Sequence, residues 1–209
     1  YLPLLRLAFG DESGWRGKTA LVAFAGRGRE AEFFLPFCKC VVLTDSFPAC
    51  AEVLRRRFCG RDRPHVQVTL GNGHDLAGVP SGSVDMLIAL VALMHVRPLG
   101  VREGYAAEFR RVMRSNGRAL LQVAQGVKPN VTPWDEVPER ADEDDVDYSV
   151  GSRRPNVGFA DDAAMHAWWS KYLIVDYVVR SRTIPSDSNM GNWWWVVASQ
   201  PGLESFEWP

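Results

Sequence analysis

Long hydrophobic runs are scarce in this 209-residue chain. The longest, Val84–Val96, is interrupted by Asp85 and His95. A helical bilayer span needs about 20 apolar residues, so no membrane partner is expected. An excess of charge of one sign is also missing. The chain has 24 Lys and Arg against 25 Asp and Glu, a net charge of −1 and a pI near 6.5. That balance excludes a strongly basic, purely electrostatic nucleic-acid binder. Cysteine is limited to Cys38, Cys40, Cys50 and Cys59. Their spacing matches no zinc site, so no metal is expected. They read as free thiols of a reducing, intracellular compartment, with cytoplasm, nucleus and mitochondrion all open. No secretory leader is visible, and the chain opens on Tyr1, which reads as a processed or trimmed piece. Tryptophan, by contrast, is abundant: there are eight, including the consecutive Trp193, Trp194 and Trp195.

The length suits one domain over residues 1–209. Residues 1–18 read as an N-terminal helix or linker. Apolar runs predict strands at Thr19–Ala25, Cys40–Leu43, Val66–Leu70, Val84–Leu90 and Arg118–Ala124. Helices are predicted over Arg29–Phe37, Pro48–Phe58 and Gly104–Met113, the last stopped by Asn116-Gly117. Strands separated by helices of this length predict an α/β fold with a doubly wound, mostly parallel sheet. Beyond residue 126 the pattern changes. A helix is predicted over Phe159–Lys171, with Asp161-Asp162 at its N-terminus. Strands at Tyr172–Thr183 and Trp193–Ser199 predict a C-terminal antiparallel hairpin.

The first strand runs into Gly26-Arg27-Gly28. Glycine lets a ligand approach the backbone, and a helix start offers unpaired N–H groups. The second strand ends at Asp45, where an acid in a nucleotide-binding α/β fold accepts hydrogen bonds from ribose hydroxyls. Gly71-Asn72-Gly73-His74-Asp75 follows the third strand, and Asp85 and His95 flank the fourth. All are expected near the carboxyl edge of the sheet, where ligands bind. Asp85 also suits a backbone-anchoring role.

In the order of Leu21–Arg29, Val42–Ser46, Val66–Leu76, Ser83–Val96 and Glu108–Val123, the chain resembles class I S-adenosylmethionine-dependent methyltransferases. Lys18–Arg29, Phe34–Asp45 and Asp144–Val150 resemble the protein α-N-terminal methyltransferases among them. The resemblance implies a Rossmann-like fold and S-adenosylmethionine as cofactor, held by Gly26, Gly28, Arg29, Asp45 and Gly73. It implies Asp147 and His95 as catalytic residues, Asp147 as the acid that helps to free the substrate amine of its proton and His95 as the family's histidine after the fourth strand. Four departures stand out. The family's cofactor-orienting acid falls on Val22, and the first glycine of its G-x-G-x-G falls on Phe24. A tryptophan falls on Val91, and an asparagine after the fifth strand on Ala124. A ring at position 24 would project where the methionyl part of the cofactor should lie. The departures imply a decayed cofactor site and a structural or regulatory subunit of a larger assembly. The alternatives are an active protein N-terminal methyltransferase and an RNA-bound module.

Three other features suggest contact surfaces. Asp135–Asp147 holds eight acids and one arginine, and with its flank forms an acidic loop over 135–150. Arg55, Arg56, Arg57, Arg61 and Arg63 could meet RNA or acidic protein. Trp193–Trp195, together with Trp168-Trp169, could form an interface with other subunits.

Overall fold

The computed structural model describes residues 1–60, 63, 65–125, 131–135, 156–180 and 193–201. Helix α1 (Leu2–Phe9) and a 3₁₀ turn at Glu12–Trp15 precede β1 (Thr19–Ala23). Then come β2 (Cys40–Asp45), α2 (Pro48–Phe58), β3 (Val66–Leu70), β4 (Val84–Ala89), α3 (Leu99–Val112) and β5 (Met113–Gln125). The chain continues through β6 (Val131–Pro133), β7 (Asn156–Phe159), α4 (Asp162–Trp169), β8 (Ile174–Arg180) and β9 (Trp193–Ser199).

The strands form one sheet. Its parallel part runs β3-β2-β1-β4-β5. Strand β9 lies antiparallel against β5, and β8 lies antiparallel against β9. Strand β7 runs parallel to the last two residues of β5, pairing Ala124 with Gly158 and Gln125 with Phe159. Strand β6 runs parallel to β7. Strand order reverses between β1 and β4, the two central strands, which opens a crevice at their carboxyl ends.

Alternation along each strand sends side chains to two faces. Leu21, Ala23, Leu87 and Leu121 face one core with Tyr105 and Phe109 of α3 and Trp168 and Trp169 of α4. Ala20, Val22, Met86 and Ile88 face the other with Leu5, Trp15, Phe34 and Leu54. Every residue of β4 is buried, as a strand covered on both faces requires.

The doubly wound expectation and the C-terminal hairpin hold. The helix expected at Arg29–Phe37 does not. Only a 3₁₀ turn, Glu30–Phe33, forms there. Pro36 could not sit inside a helix reaching Phe37, because it lacks an N–H and its ring crowds the preceding turn. Phe34 is fully buried against Trp15, with ring centroids 5.3 Å apart, so packing holds the segment without a helix. Phe159 lies in β7 rather than in the following helix, which begins one turn later. There Asp161 accepts a hydrogen bond from the Ala164 N–H at 2.8 Å.

The tryptophans at 168 and 169 are core residues, not an interface. Both are buried, and they join Trp134, Phe159 and Tyr172 in one aromatic cluster. Trp194 is also buried. Trp195 lies on the opposite face, edge-on to Tyr1. All four cysteines are free thiols. Burial pushes Cys38 up to about 12, with the Asp85 charge adding to the shift. No described helix is long and apolar enough to cross a membrane.

Candidate functional site

At the carboxyl edge, the backbones of Phe24 and Val91 both take φ of +56°. Phe24 directly follows β1, and Val91 lies just beyond β4. This left-handed region suits glycine and strains a β-branched or aromatic residue, and such strain gathers at functional sites. Phe24 thus occupies a backbone conformation that a glycine would adopt freely. Its ring meets Tyr105 of α3 edge-on, with centroids 4.8 Å apart. Val91 is braced from below. Its N–H donates to Oε1 of Gln122, a buried glutamine on β5, at 3.1 Å.

Beside Phe24 lies a cleft of about 160 Å³. Its wall includes Asp45 and Ser46 after β2, Leu70, Gly71, Asn72 and Asp75 after β3, and Tyr105. The Asp45 carboxylate is held in place by the backbone. One oxygen accepts from the Gly26 N–H at 2.8 Å and the other from the Phe47 N–H at 2.9 Å. It therefore links the glycine turn to the start of α2.

The β3–β4 loop forms the floor of the cleft, and two clamps hold it. Asn72 Oδ1 accepts from the N–H groups of His74 and Asp75. Asp75 in turn accepts from the Ala77 N–H, which lowers the Asp75 carboxyl below its ordinary range. The second clamp is Glu108 with Arg111, three residues apart on α3. Glu108 accepts from the Leu76 N–H at 2.9 Å. Arg111 donates to the carbonyls of Leu76 and Val79, each at 3.0 Å. The Arg111 hydrogen bond holds the Glu108 carboxyl below its usual 4.5. A carboxyl lowered on folding adds stability above its unfolded value and loses it as pH falls through the folded one. Acidification below about pH 4.5 is therefore expected to weaken the clamp. Hydrogen exchange at the Leu76 amide should then accelerate in the wild type, while Glu108→Gln should already exchange fast at pH 7 and respond less to acid.

The expected site residues separate in the structure. Asp45 lines the cleft. Gly26 adjoins it through its bond to Asp45, and Gly73 sits in the floor loop with φ of +87°. Gly28 and Arg29 are not among the residues that line the cleft. A Cβ on Gly28 would lie 2.2 Å from the Phe58 ring, so packing against α2 requires that glycine. Arg29 turns away to Glu30 at 2.6 Å and to the Tyr1 hydroxyl at 3.1 Å. His95 is half-buried in a 3₁₀ turn past β4 and does not line the cleft. Asp147, and the acidic loop beyond Asp135, lie outside the described residues. Asp85, expected with the others near the carboxyl edge, sits instead at the amino end of β4, opposite the cleft, because it is the second residue of that strand. There it accepts from the Thr19 N–H at 2.8 Å, the anchoring role expected of it. On α2, Arg55, Arg56 and Arg57 are all exposed, Arg57 being bound to the Arg27 carbonyl and Glu32, and Arg63 beyond the helix is exposed as well. Arg61 lies outside the described residues.

Sequence reasoning passed over Arg102. It is 1% exposed, donates to the carbonyls of Val96, Arg97 and Trp134, and lies over the Trp134 ring. Burial pulls its guanidinium down to about 10. Tyr105, Gln122 and Trp134 were passed over as well.

A β3-β2-β1-β4-β5 parallel sheet, closed by an antiparallel pair and carrying a glycine turn after β1 and an acid at the end of β2, is the Rossmann-like fold of the class I methyltransferases. Residues 23–121 match the methyltransferase domain family. No curated protein matches the chain. Similar solved structures include a SAM-dependent methyltransferase of Methanosarcina mazei, with a TM-score of 0.66 and 13% identity over 90% of this chain and 94% of that one. The N-methyltransferase NodS of Bradyrhizobium japonicum, solved with S-adenosyl-L-homocysteine, scores 0.66 at 12% identity over 96% and 85%. The 1,6-didemethyltoxoflavin-N1-methyltransferase of Burkholderia thailandensis, also with S-adenosylhomocysteine, scores 0.64 at 17% identity over 95% and 76%. At these identities the likeness establishes the fold.

Proposed function

We propose that this chain is a methyltransferase-fold protein whose S-adenosylmethionine site has decayed, and that it works as a structural or regulatory subunit of a larger protein assembly. The observation that carries the reading is Phe24. Its backbone keeps a glycine-like φ while its ring stands against Tyr105 at the cleft. The cleft of about 160 Å³ falls below the roughly 300–1,000 Å³ of sites that take drug-sized molecules. Val22, where the resemblance expects a carboxylate, is buried among apolar side chains. The residues present therefore suit the nucleoside half of such a cofactor and not its methionyl half. The exposed Arg55, Arg56 and Arg63 and the acidic segment that begins at Asp135 are the contact surfaces of this reading, with protein subunits as the partners and RNA as the other candidate.

The competing reading is an active transferase acting on a protein α-amino terminus, with His95 and Asp147 at work. Asp45 on the cleft wall and the S-adenosylhomocysteine held by two of the similar structures favour it. Calorimetric titration of the chain with S-adenosylmethionine separates the two. No saturation is expected up to about 1 mM ligand, a binding energy of only about 4 kcal/mol. Micromolar binding by the wild type would overturn the decayed-site reading in favour of the enzyme.

A further inference from the structure

A basic groove lies at the end of α2, and we infer that it receives the acidic stretch Asp135–Asp147 of a second copy of this chain. Two copies that exchange this stretch in both directions form a closed dimer. The inference rests on the proposed reading of the chain as a subunit and names its partner.

The groove measures about 360 Å³ and is lined by Glu32, Leu35, Pro36, Arg57, Phe58 and Arg63. Arg57 is fixed in place. It donates to the Arg27 carbonyl at 2.8 Å and to Glu32, and its guanidinium lies 5.0 Å from the Phe58 ring centroid. A guanidinium has five N–H groups, so Arg57 keeps donors for a further acceptor. Arg55 and Arg63 are exposed and form no ion pair with a described residue. Arg56 meets Glu52 at 3.9 Å between two exposed side chains, a weak pair. The surplus is positive, and an acidic occupant complements it. Leu35, Pro36 and Phe58 add an apolar strip beside the charges.

Residues 135–147 supply the complement. They carry eight acids and one arginine, with Val137, Pro138 and Val146 among the acids. Arginine forks suit carboxylates, and the apolar residues suit the strip. Reach favours a second copy over the same one. The stretch begins two residues after β6, whereas α2 packs on β2 and β3. In the order β3-β2-β1-β4-β5-β7-β6, five or six strand intervals separate them, about 24–29 Å. The groove lies further out, on the helix layer. Asp142–Asp145 lies seven to ten residues beyond Asp135, a span of about 23–36 Å only at full extension. The same chain would have to be drawn nearly straight to fill its own groove, with a heavy loss of conformational entropy. A second copy set beside the first avoids that loss. RNA fits less well. Phe58, the one ring among the described groove residues, is 2% exposed and offers no open face for a base, and Glu32 stands on the wall.

The test is sedimentation velocity on the wild-type chain. At about 0.1 M salt, where charges act over about 10 Å, a species of twice the 23.4 kDa chain mass is expected. At about 1 M salt, where they act over about 3 Å, it should dissociate. Arg55→Glu with Arg63→Glu should weaken self-association at least about tenfold and leave the urea midpoint unchanged, since both side chains are exposed. Asp142→Asn, Glu143→Gln, Asp144→Asn and Asp145→Asn together should do the same. Mixed in equal amounts, the two variants should form a heterodimer, because each retains the half that the other lacks. A synthetic peptide of residues 135–147 should dissociate the wild-type dimer. A wild-type chain that stays monomeric at about 0.1 M salt would overturn the inference, and peptide binding by that monomer would give the groove to a different acidic protein. A dimer that survives both sets of substitutions would overturn it by placing the contact elsewhere. An oligouridine that binds the wild type and not the arginine variant would assign the groove to RNA and overturn it too. None of these outcomes changes the S-adenosylmethionine titration, which judges the decayed-site reading separately.

Discussion

Arg102→Met is expected to lower folding stability by about 2–4 kcal/mol, among the largest effects of any single change near the site. Methionine keeps most of the aliphatic volume and removes the desolvation burden that pulls the guanidinium down to about 10. What it cannot replace is the fork of donors. The carbonyls of Val96, Arg97 and Trp134 would lose their partner in a buried setting, where an unmet acceptor costs about 1–3 kcal/mol. The Trp134 ring would also lose the cation 5.1 Å from its centroid. Arg102→Lys should fall between the two, because an ammonium is a compact point donor without the guanidinium's fork of five N–H groups. Urea unfolding of the three proteins, with unchanged slope, reads the difference directly. A methionine variant as stable as the wild type would mean that the guanidinium's desolvation cancels its hydrogen bonds.

Arg102 also marks the limit of reading this chain from its letters. The strands were legible because a parallel sheet buries both faces, so Val84–Ala89 and Thr19–Ala23 stand out as apolar runs. The order of glycine turn, acid and apolar strand made the fold class and Asp45 legible too. A buried arginine looks like any surface charge, and one of its partners is a backbone carbonyl 32 residues away, which no residue pattern discloses. The Glu108–Arg111 pair was not read from the sequence either, and nothing in its i,i+3 spacing discloses its grip on Leu76 and Val79. The segment Arg29–Phe37 imitated a helix because a packed turn can bury an aromatic such as Phe34 as fully as a helix can. Gly28 matched a cofactor glycine by position, yet its side is filled by Phe58. Val91 stood out only as a departure from the family's tryptophan; its left-handed backbone, with the N–H held by Gln122, did not show in the letters.

Returning an acid to position 22 is expected to destabilise the protein by about 3–5 kcal/mol and not to restore cofactor binding by itself. The resemblance places a carboxylate there, but the Val22 side chain is 2% exposed and belongs to the cluster formed by Ala20, Leu43, Met86 and Ile88. A carboxyl in that cluster is desolvated, which favours its neutral form and raises its pKa above the unfolded value near 3.9. The sign of the pH dependence follows. Between the unfolded and the raised folded pKa, the unfolded chain has released its proton and the folded one has not, so stability falls as pH rises through that window. Val22→Asp should therefore lose more stability at pH 8 than at pH 5, relative to the wild type at each pH, in urea unfolding. Phe24→Gly acts on a different term. It relieves a strained φ worth about 1–3 kcal/mol and gives up the edge contact with Tyr105, so its net effect on stability should be small while the cleft opens. If Val22→Asp proved neutral, flat with pH and competent for S-adenosylmethionine, the carboxylate would have to reach the cleft. Position 22 would then belong to a working cofactor site, and Phe24 would be its gate rather than its plug.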